Sequence, residues 1–414
     1  MTNIPINGDR LWNSLMDMAK IGATEKGGNC RLTLSDLDKE GRDLFIHWCE
    51  KAGCSVTIDA VGNIFARRPG RTQNKPPVMM GSHLDTQPTG GRFDGVLGVL
   101  AGLEVIRTLN DNNVETEAPL ELVSWTNEEG SRYSPAMMGS GVFAGVFEVN
   151  DVKAKTDIDG KSFGEELKRI GYAGAEKPGA HDVSAYFELH IEQGPILEAE
   201  EKTIGIVTSA QGQRWYEITV TGQESHAGPT PMQVRRDALV AGSKIIQEVQ
   251  NIGHRHTPNA CATVGHIQAY PNSRNVIPGK VFLTVDFRHP DDDTLATMDT
   301  ELKTFCHNLA ANDKINVNVV NFWHFPATSF DHDCIQAVKE GAKIGGYPHM
   351  EIVSGAGHDA VYLADKVPTA MIFVPCENGI SHNEIENVTP EDCSAGCQVL
   401  LHAVLTRAEK QSGN

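Results

Sequence analysis

The chain has 414 residues, room for two or three domains at roughly 100–200 residues each. Hydrophobic residues make up 40% and charged residues 22%, ordinary values that allow a sizeable core without disulfide support. Lys and Arg number 36 against 54 Asp and Glu, and the net charge of −18 argues against wrapping a nucleic acid or lying on an anionic membrane face. A local Arg can still hold a small anion. The nine cysteines are scattered, odd in number and form no C-x-x-C pair. They read as free, mostly buried thiols, so a reducing, cytoplasmic setting is expected.

No apolar run approaches the ~20 residues of a membrane span. Met1 to Lys20 lacks the basic-then-apolar order of a secretory signal. Its apolar spacing, Leu11, Leu15, Met18 and Ile21, predicts an amphipathic helix instead. Val78 to Gly81 reads as a strand end before a Gly-rich loop, and Val96 to Leu109 has helical spacing. Leu120 to Trp125 and Tyr186 to Ile191 are apolar strands that run into polar residues. The carboxyl edge of such strands is where open α/β sheets bind ligands. From about Gln211 a second block follows: strand 215–221, helix 234–249, strands 262–269 and 280–286, helix 294–309, strand 315–321. That order is the split β-α-β of ferredoxin-like domains. Helix 332–345, strand 369–374 and a helix from Pro390 resume the first style. The expected fold class is therefore α/β, one larger domain (1–211 and 327–414) interrupted by a smaller α+β domain (212–326).

Four segments carry candidate chemistry. In GSHLDTQPTGGRFDG, His83 and Asp85 stand two apart at a strand end, and Asp94 follows before a helix. This pattern is a metal ligand with an orienting carboxylate, or only a polar turn. In WTNEEGSR, Glu128 and Glu129 repel unless a cation or proton separates them; one carboxylate can ligate a metal while its neighbour takes a proton from water. A solvated acidic loop is the other reading. In ELHIEQGP, strand alternation puts Glu188, His190 and Glu192 on one face. In SHNE, His382 follows an apolar strand. Together His83, Asp94, Glu129, His190 and His382 offer three imidazoles and two carboxylates, donors suited to Zn2+, Mn2+, Co2+ or Ni2+. One carboxylate can bridge two ions about 3.5–4 Å apart. No G-x-S-x-G nucleophile elbow is evident.

These segments, with SHAGPTPM, RRDA and SGAGHDA, resemble the M20 superfamily of metal-dependent amidohydrolases and peptidases along nearly the whole chain. The branch they resemble is that of the hydantoinases and carbamoylases: N-carbamoyl-L-amino-acid hydrolases, β-ureidopropionases and allantoate amidohydrolases. The resemblance implies a catalytic domain with a central mixed sheet and an inserted lid and dimerisation domain. It implies two divalent ions per chain, zinc first among them. His83 and Glu129 would be terminal ligands, Asp94 the bridge, and His190 and His382 the rest of the set. Glu128 would be the general base, and Asp85 would orient His83. His190 stands where M20 exopeptidases carry a carboxylate, which favours the ureido-cleaving branch. Arg288 and Asn275 would hold a substrate carboxylate, His226 the oxyanion, Gln193 the ureido group, and the backbone at Gly357 would approach the substrate. The implied reaction is hydrolysis of the carbamoyl group of an anionic N-carbamoyl amino acid, of the L-α or β-alanine type, by a homodimer. Allantoate is the nearest alternative substrate; dipeptidase, aminoacylase or non-catalytic binding roles are more distant.

Overall fold

Apolar runs without alternation become strands covered on both faces. Every residue of Val78–His83, Leu120–Trp125, Ala185–Ile191 and Thr369–Val374 is buried, as in a parallel sheet packed between helices. The computed structural model describes residues 4–409. The chain divides into two units, Met1–Thr208 with Ser329–Asn414, and Ser209–Thr328.

In the first unit those four strands pair in parallel, in the order 120–125, 78–83, 185–191, 369–374. Their carboxyl ends therefore share one edge. Antiparallel neighbours flank them. Ile64–Arg68 pairs with Leu120–Trp125 and with Ser55–Ile58, and Ile204–Ala210 pairs with Thr369–Val374. The sheet is thus mixed, with nine strands among the described residues. Helices Val96–Asp111 and Pro390–Ala408 pack on each other and on this sheet, and nearly all of Val96–Leu109 is buried. Thr389 caps the second helix by accepting from the Asp392 N–H, with Pro390 in the first turn. Helix Asp36–Lys51 lies outside the elements expected from sequence. Its many charges dilute a buried stripe that includes Phe45 and Cys49.

The second unit has the ferredoxin-like order strand, helix, strand, strand, helix, strand. Asn316–Phe325, Gly212–Thr221, Lys280–His289 and Cys261–Tyr270 lie side by side in that order, all neighbours antiparallel. Tyr216, Ile218, Val220, Leu283 and Phe287 meet helices Ala238–Arg255 and Asp292–Asp313 in one core. The first helix starts at Ala238 and not at 234, because Met232–Val234 is a separate turn and Asp237 caps the Leu239 and Val240 N–H groups. Among the described residues no helix is long and apolar enough to cross a membrane.

Candidate metal centre

His83 ends the strand Val78–His83, and the following loop returns Asp94 beside it. The return needs Gly95, whose φ is +67° and whose Cβ would lie 2.3 Å from the His83 ring. His190 arrives from the adjacent parallel strand and His382 from the loop after Thr369–Val374. Asp94 Oδ1 faces His190 Nε2 at 3.1 Å and His83 Nε2 at 3.6 Å. Its other oxygen, Oδ2, faces His382 Nε2 at 3.3 Å, and Glu129 Oε2 lies 3.4 Å from the same nitrogen. Two ligand sets result, His83–Asp94–His190 and Asp94–Glu129–His382, sharing the Asp94 carboxylate.

The donors fit a pair of divalent ions. Each set mixes imidazole nitrogen with carboxylate oxygen, and Asp94 offers one oxygen to each. The Nδ1 atoms of His83 and His190 bond the main-chain oxygens of Asp85 and Ile191, both at 2.9 Å, which leaves Nε2 facing the centre. A third grouping, Glu188–His190–His358, differs in kind: Glu188 already accepts from Ser82 Oγ, Tyr186 Oη and the Ala360 N–H. The strand face expected to carry three site residues thus delivers His190 to the centre and Glu188 to that buried network. Glu192, just past the strand, accepts the N–H groups of Ile196 and Leu197.

Glu128 belongs to neither ligand set, yet its Oε2 lies 3.5 Å from His83 Nε2. The contact expected between the Asp85 side chain and His83 is made by the Asp85 main-chain oxygen. The carboxylate itself accepts from Thr33 Oγ1 at 2.8 Å and from the N–H groups of Glu128 and Glu129, each at 3.3 Å. It is turned this way because the Glu128–Glu129 turn offers two free N–H donors. Burial drives the Glu128 carboxyl well above the usual carboxylate range against the pull of His83, and Asp359 and Glu129 add to the rise. Burial and Asp94 push Glu129 up to about 7. Burial opposes ionisation of Asp94 too, but three imidazole hydrogen bonds hold it well below its ordinary value. The hydrogen bond to Asp94 lifts His382 to about 9. A crowd of buried carboxylates around imidazoles is the electrostatic setting that cations relieve.

Of the other expected residues, Gln193 adopts φ +57°, and its amide donates to Asp94 Oδ2 at 2.8 Å and to Ser381 Oγ at 3.2 Å. Gly357 sits against Met137, whose Cε lies 3.3 Å from where a Cβ would be. In the second unit, His226 and Asn275 are both exposed and come together, the Ala227 N–H donating to the Asn275 main-chain oxygen at 2.9 Å. Arg288 pairs with Asp286 on its own strand, Nη2 to Oδ2 2.9 Å. Three residues near the centre escaped sequence reasoning: Gln87, Ser381 and Glu386. Gln87 holds both oxygens of Glu129, by its main-chain N–H (3.1 Å) and its amide (2.6 Å). The signal for them was only proximity to His83 and His382 in sequence.

Residues 79–406 match the peptidase family M20/M25/M40, and the chain belongs to it. Within that family it falls in the hydantoinase/carbamoylase branch. It is 51% identical to the N-carbamoyl-L-amino-acid amidohydrolase of Rhizobium meliloti, over 98% of each chain. It is 36% identical to the N-carbamoyl-L-amino acid amidohydrolase of Geobacillus stearothermophilus, over 98% of this chain and 99% of that one. Among solved structures, an amidase of the hydantoinase/carbamoylase family from Burkholderia multivorans matches with a TM-score of 0.95 and 61% identity. That match covers 98% of this chain and 99% of the other.

Proposed function

We propose that this protein hydrolyses the carbamoyl C–N bond of N-carbamoyl-L-α-amino acids, giving the amino acid, CO2 and ammonia. The observation that carries this is the double ligand set built on Asp94 with a carboxylate, Glu128, left beside it. Similarity to carbamoyl-amino-acid amidohydrolases along the whole chain supports the ureido substrate.

His83, Asp94 and His190 would hold one ion, and Asp94, Glu129 and His382 the other. Bound there, the ions supply Lewis acidity for the carbamoyl carbonyl and make water nucleophilic at neutral pH. Glu128 takes the proton of the attacking water on a side-chain oxygen. It then gives that proton to the departing amine nitrogen as the C–N bond breaks, so the carboxylate is regenerated. The resulting carbamic acid falls apart to CO2 and ammonia. Asp85 holds the Glu128–Glu129 turn at its N–H groups so that base and ligand point apart. Gln193 binds the ureido group, His226 the oxyanion, Asn275 and Arg288 the substrate carboxylate, and the backbone at Gly357 closes on the substrate.

The protein acts as a cytoplasmic homodimer joined through the inserted domain. Support comes from nine unpaired cysteines and from the edge strand Cys261–Tyr270, which carries exposed Ile267 and Tyr270. The decisive test is product release by purified, metal-loaded protein from N-carbamoyl-L-α-amino acids, N-carbamoyl-β-alanine and allantoate compared side by side. Preference for the first is expected; preference for either other substrate overturns the assignment.

A further inference from the structure

Glu386 belongs to neither ligand set, yet it is 1% exposed and joins the loop that carries Asp94 to the loop that carries His382. Its Oε1 accepts the N–H groups of Phe93 at 3.0 Å and Asp94 at 3.1 Å. Its Oε2 accepts from Ser381 Oγ at 2.9 Å, one residue before His382. Room for this carboxylate exists because residue 91 is glycine: a Cβ there would lie 2.0 Å from Oε1. One buried side chain thus ties the bridging ligand to the neighbour of a ligand almost three hundred residues away.

The two ligand sets are not held alike. His83 and His190 each have Nδ1 fixed by a main-chain oxygen. Among the described residues no such oxygen holds His382, whose side chain is 52% exposed and whose φ is +53°. Its loop reaches the centre through Ser381, whose single hydroxyl hydrogen has two acceptors, Glu386 Oε2 at 2.9 Å and Asp94 Oδ2 at 3.1 Å. With a cation held at Asp94, Glu386 Oε2 would be the acceptor that keeps the Ser381 hydroxyl, and with it the loop, tethered.

We propose that Glu386 is a positioning residue that builds the Asp94–Glu129–His382 set through Ser381, while the His83–Asp94–His190 set stands without it. This rests on the ligand assignment above. The test is calorimetric titration of the metal-free protein with Co2+, with the visible absorption of bound cobalt read at each step. Wild type takes up two equivalents. In Glu386→Gln the amide oxygen can still accept the two N–H groups, but the amide nitrogen cannot accept from Ser381. The second equivalent is expected to bind about 10–100-fold more weakly, with the first unchanged. Glu386→Asp, a shortened carboxylate, should recover part of the loss. Both equivalents weakening alike, or neither, overturns the proposal. If Glu386→Gln fails to fold, judged by circular dichroism, Ser381→Ala carries the same test. It too must weaken only the second equivalent, and an unchanged second equivalent overturns the proposal. Fewer than two equivalents in wild type is a separate result: it removes the two-ion reading and this proposal with it.

Discussion

Glu128 approaches His83 to 3.5 Å, Oε2 to Nε2, while its neighbour Glu129 turns to His382. Adjacent residues thus face different members of the centre. Glu128→Gln is expected to keep both metal equivalents and lose about 10²–10⁴-fold in kcat, because an amide cannot take the proton. Glu129→Gln is expected to lose metal. Elemental analysis beside a rate assay separates the two; the reverse pattern would exchange their roles.

Gly95 touches the centre through what it lacks. Gly95→Ala puts a methyl 2.3 Å from the His83 ring at a φ of +67°. The backbone conformation alone costs of order 1–3 kcal/mol, and the ring must also move. The variant should fold with a lower Tm and bind fewer than two equivalents of metal. Full metal content at wild-type affinity would show that the loop can shift without disturbing His83.

Metal removal should destabilise the catalytic unit, since Asp94, Glu128 and Glu129 then crowd together without a cation. A ligand that binds only the folded state adds about 2.7 kcal/mol at a hundredfold excess over its Kd. Chelated protein should melt at a lower temperature, and Zn2+, Mn2+ or Co2+ should restore the Tm in a concentration-dependent way. A Tm and activity indifferent to exhaustive chelation would contradict the metal centre.

Arg288 already shares its guanidinium with Asp286 and is 29% exposed, so its loss should cost less than that of a fully buried partner. Arg288→Ala is expected to lower kcat/KM about 10–100-fold with metal content intact. Replacing the substrate carboxylate by an amide should lower wild-type kcat/KM similarly and leave the variant nearly unaffected. Equal discrimination by both proteins would make Arg288 structural.

His181 bonds Glu121 at 2.7 Å, and that hydrogen bond raises the imidazole above its ordinary value although burial opposes it. A raised folded value means the pair stabilises fully below the unfolded value of about 6.5, and this contribution is lost as pH rises through the folded value. The stability difference between wild type and His181→Gln should therefore shrink as pH rises above neutrality. Denaturant titration at several pH values checks it; a difference independent of pH would mean the pair contributes no charge interaction.

Elements were legible where one periodicity ran uninterrupted. Leu120–Trp125 and Thr369–Val374 coincide with the expected strands because apolar runs bounded by polar residues have one reading. Helix Asp36–Lys51 was not legible, since Asp36, Asp38, Lys39, Glu40, Arg42 and Asp43 hide its apolar stripe. Strand Asn316–Phe325 runs four residues past its expected end, as Trp323, His324 and Phe325 resume pairing beyond a bulge at Phe322.

What the sequence determined by itself was chemical and local. It placed imidazoles and carboxylates beyond apolar strands, and a strand's length and burial follow from its own residues. Parallel pairing then had to bring His83, the Glu128–Glu129 turn, His190 and His382 to one edge. The direction in which each polar atom points was decided only in three dimensions. That Asp85 offers its carboxylate to Glu128, that Gln87 holds Glu129, and that Glu386 reaches the Asp94 N–H are contacts between loops. Loop contacts have no period. They depend on which strands are neighbours and on where a missing Cβ, at Gly91 or Gly95, leaves space for another side chain.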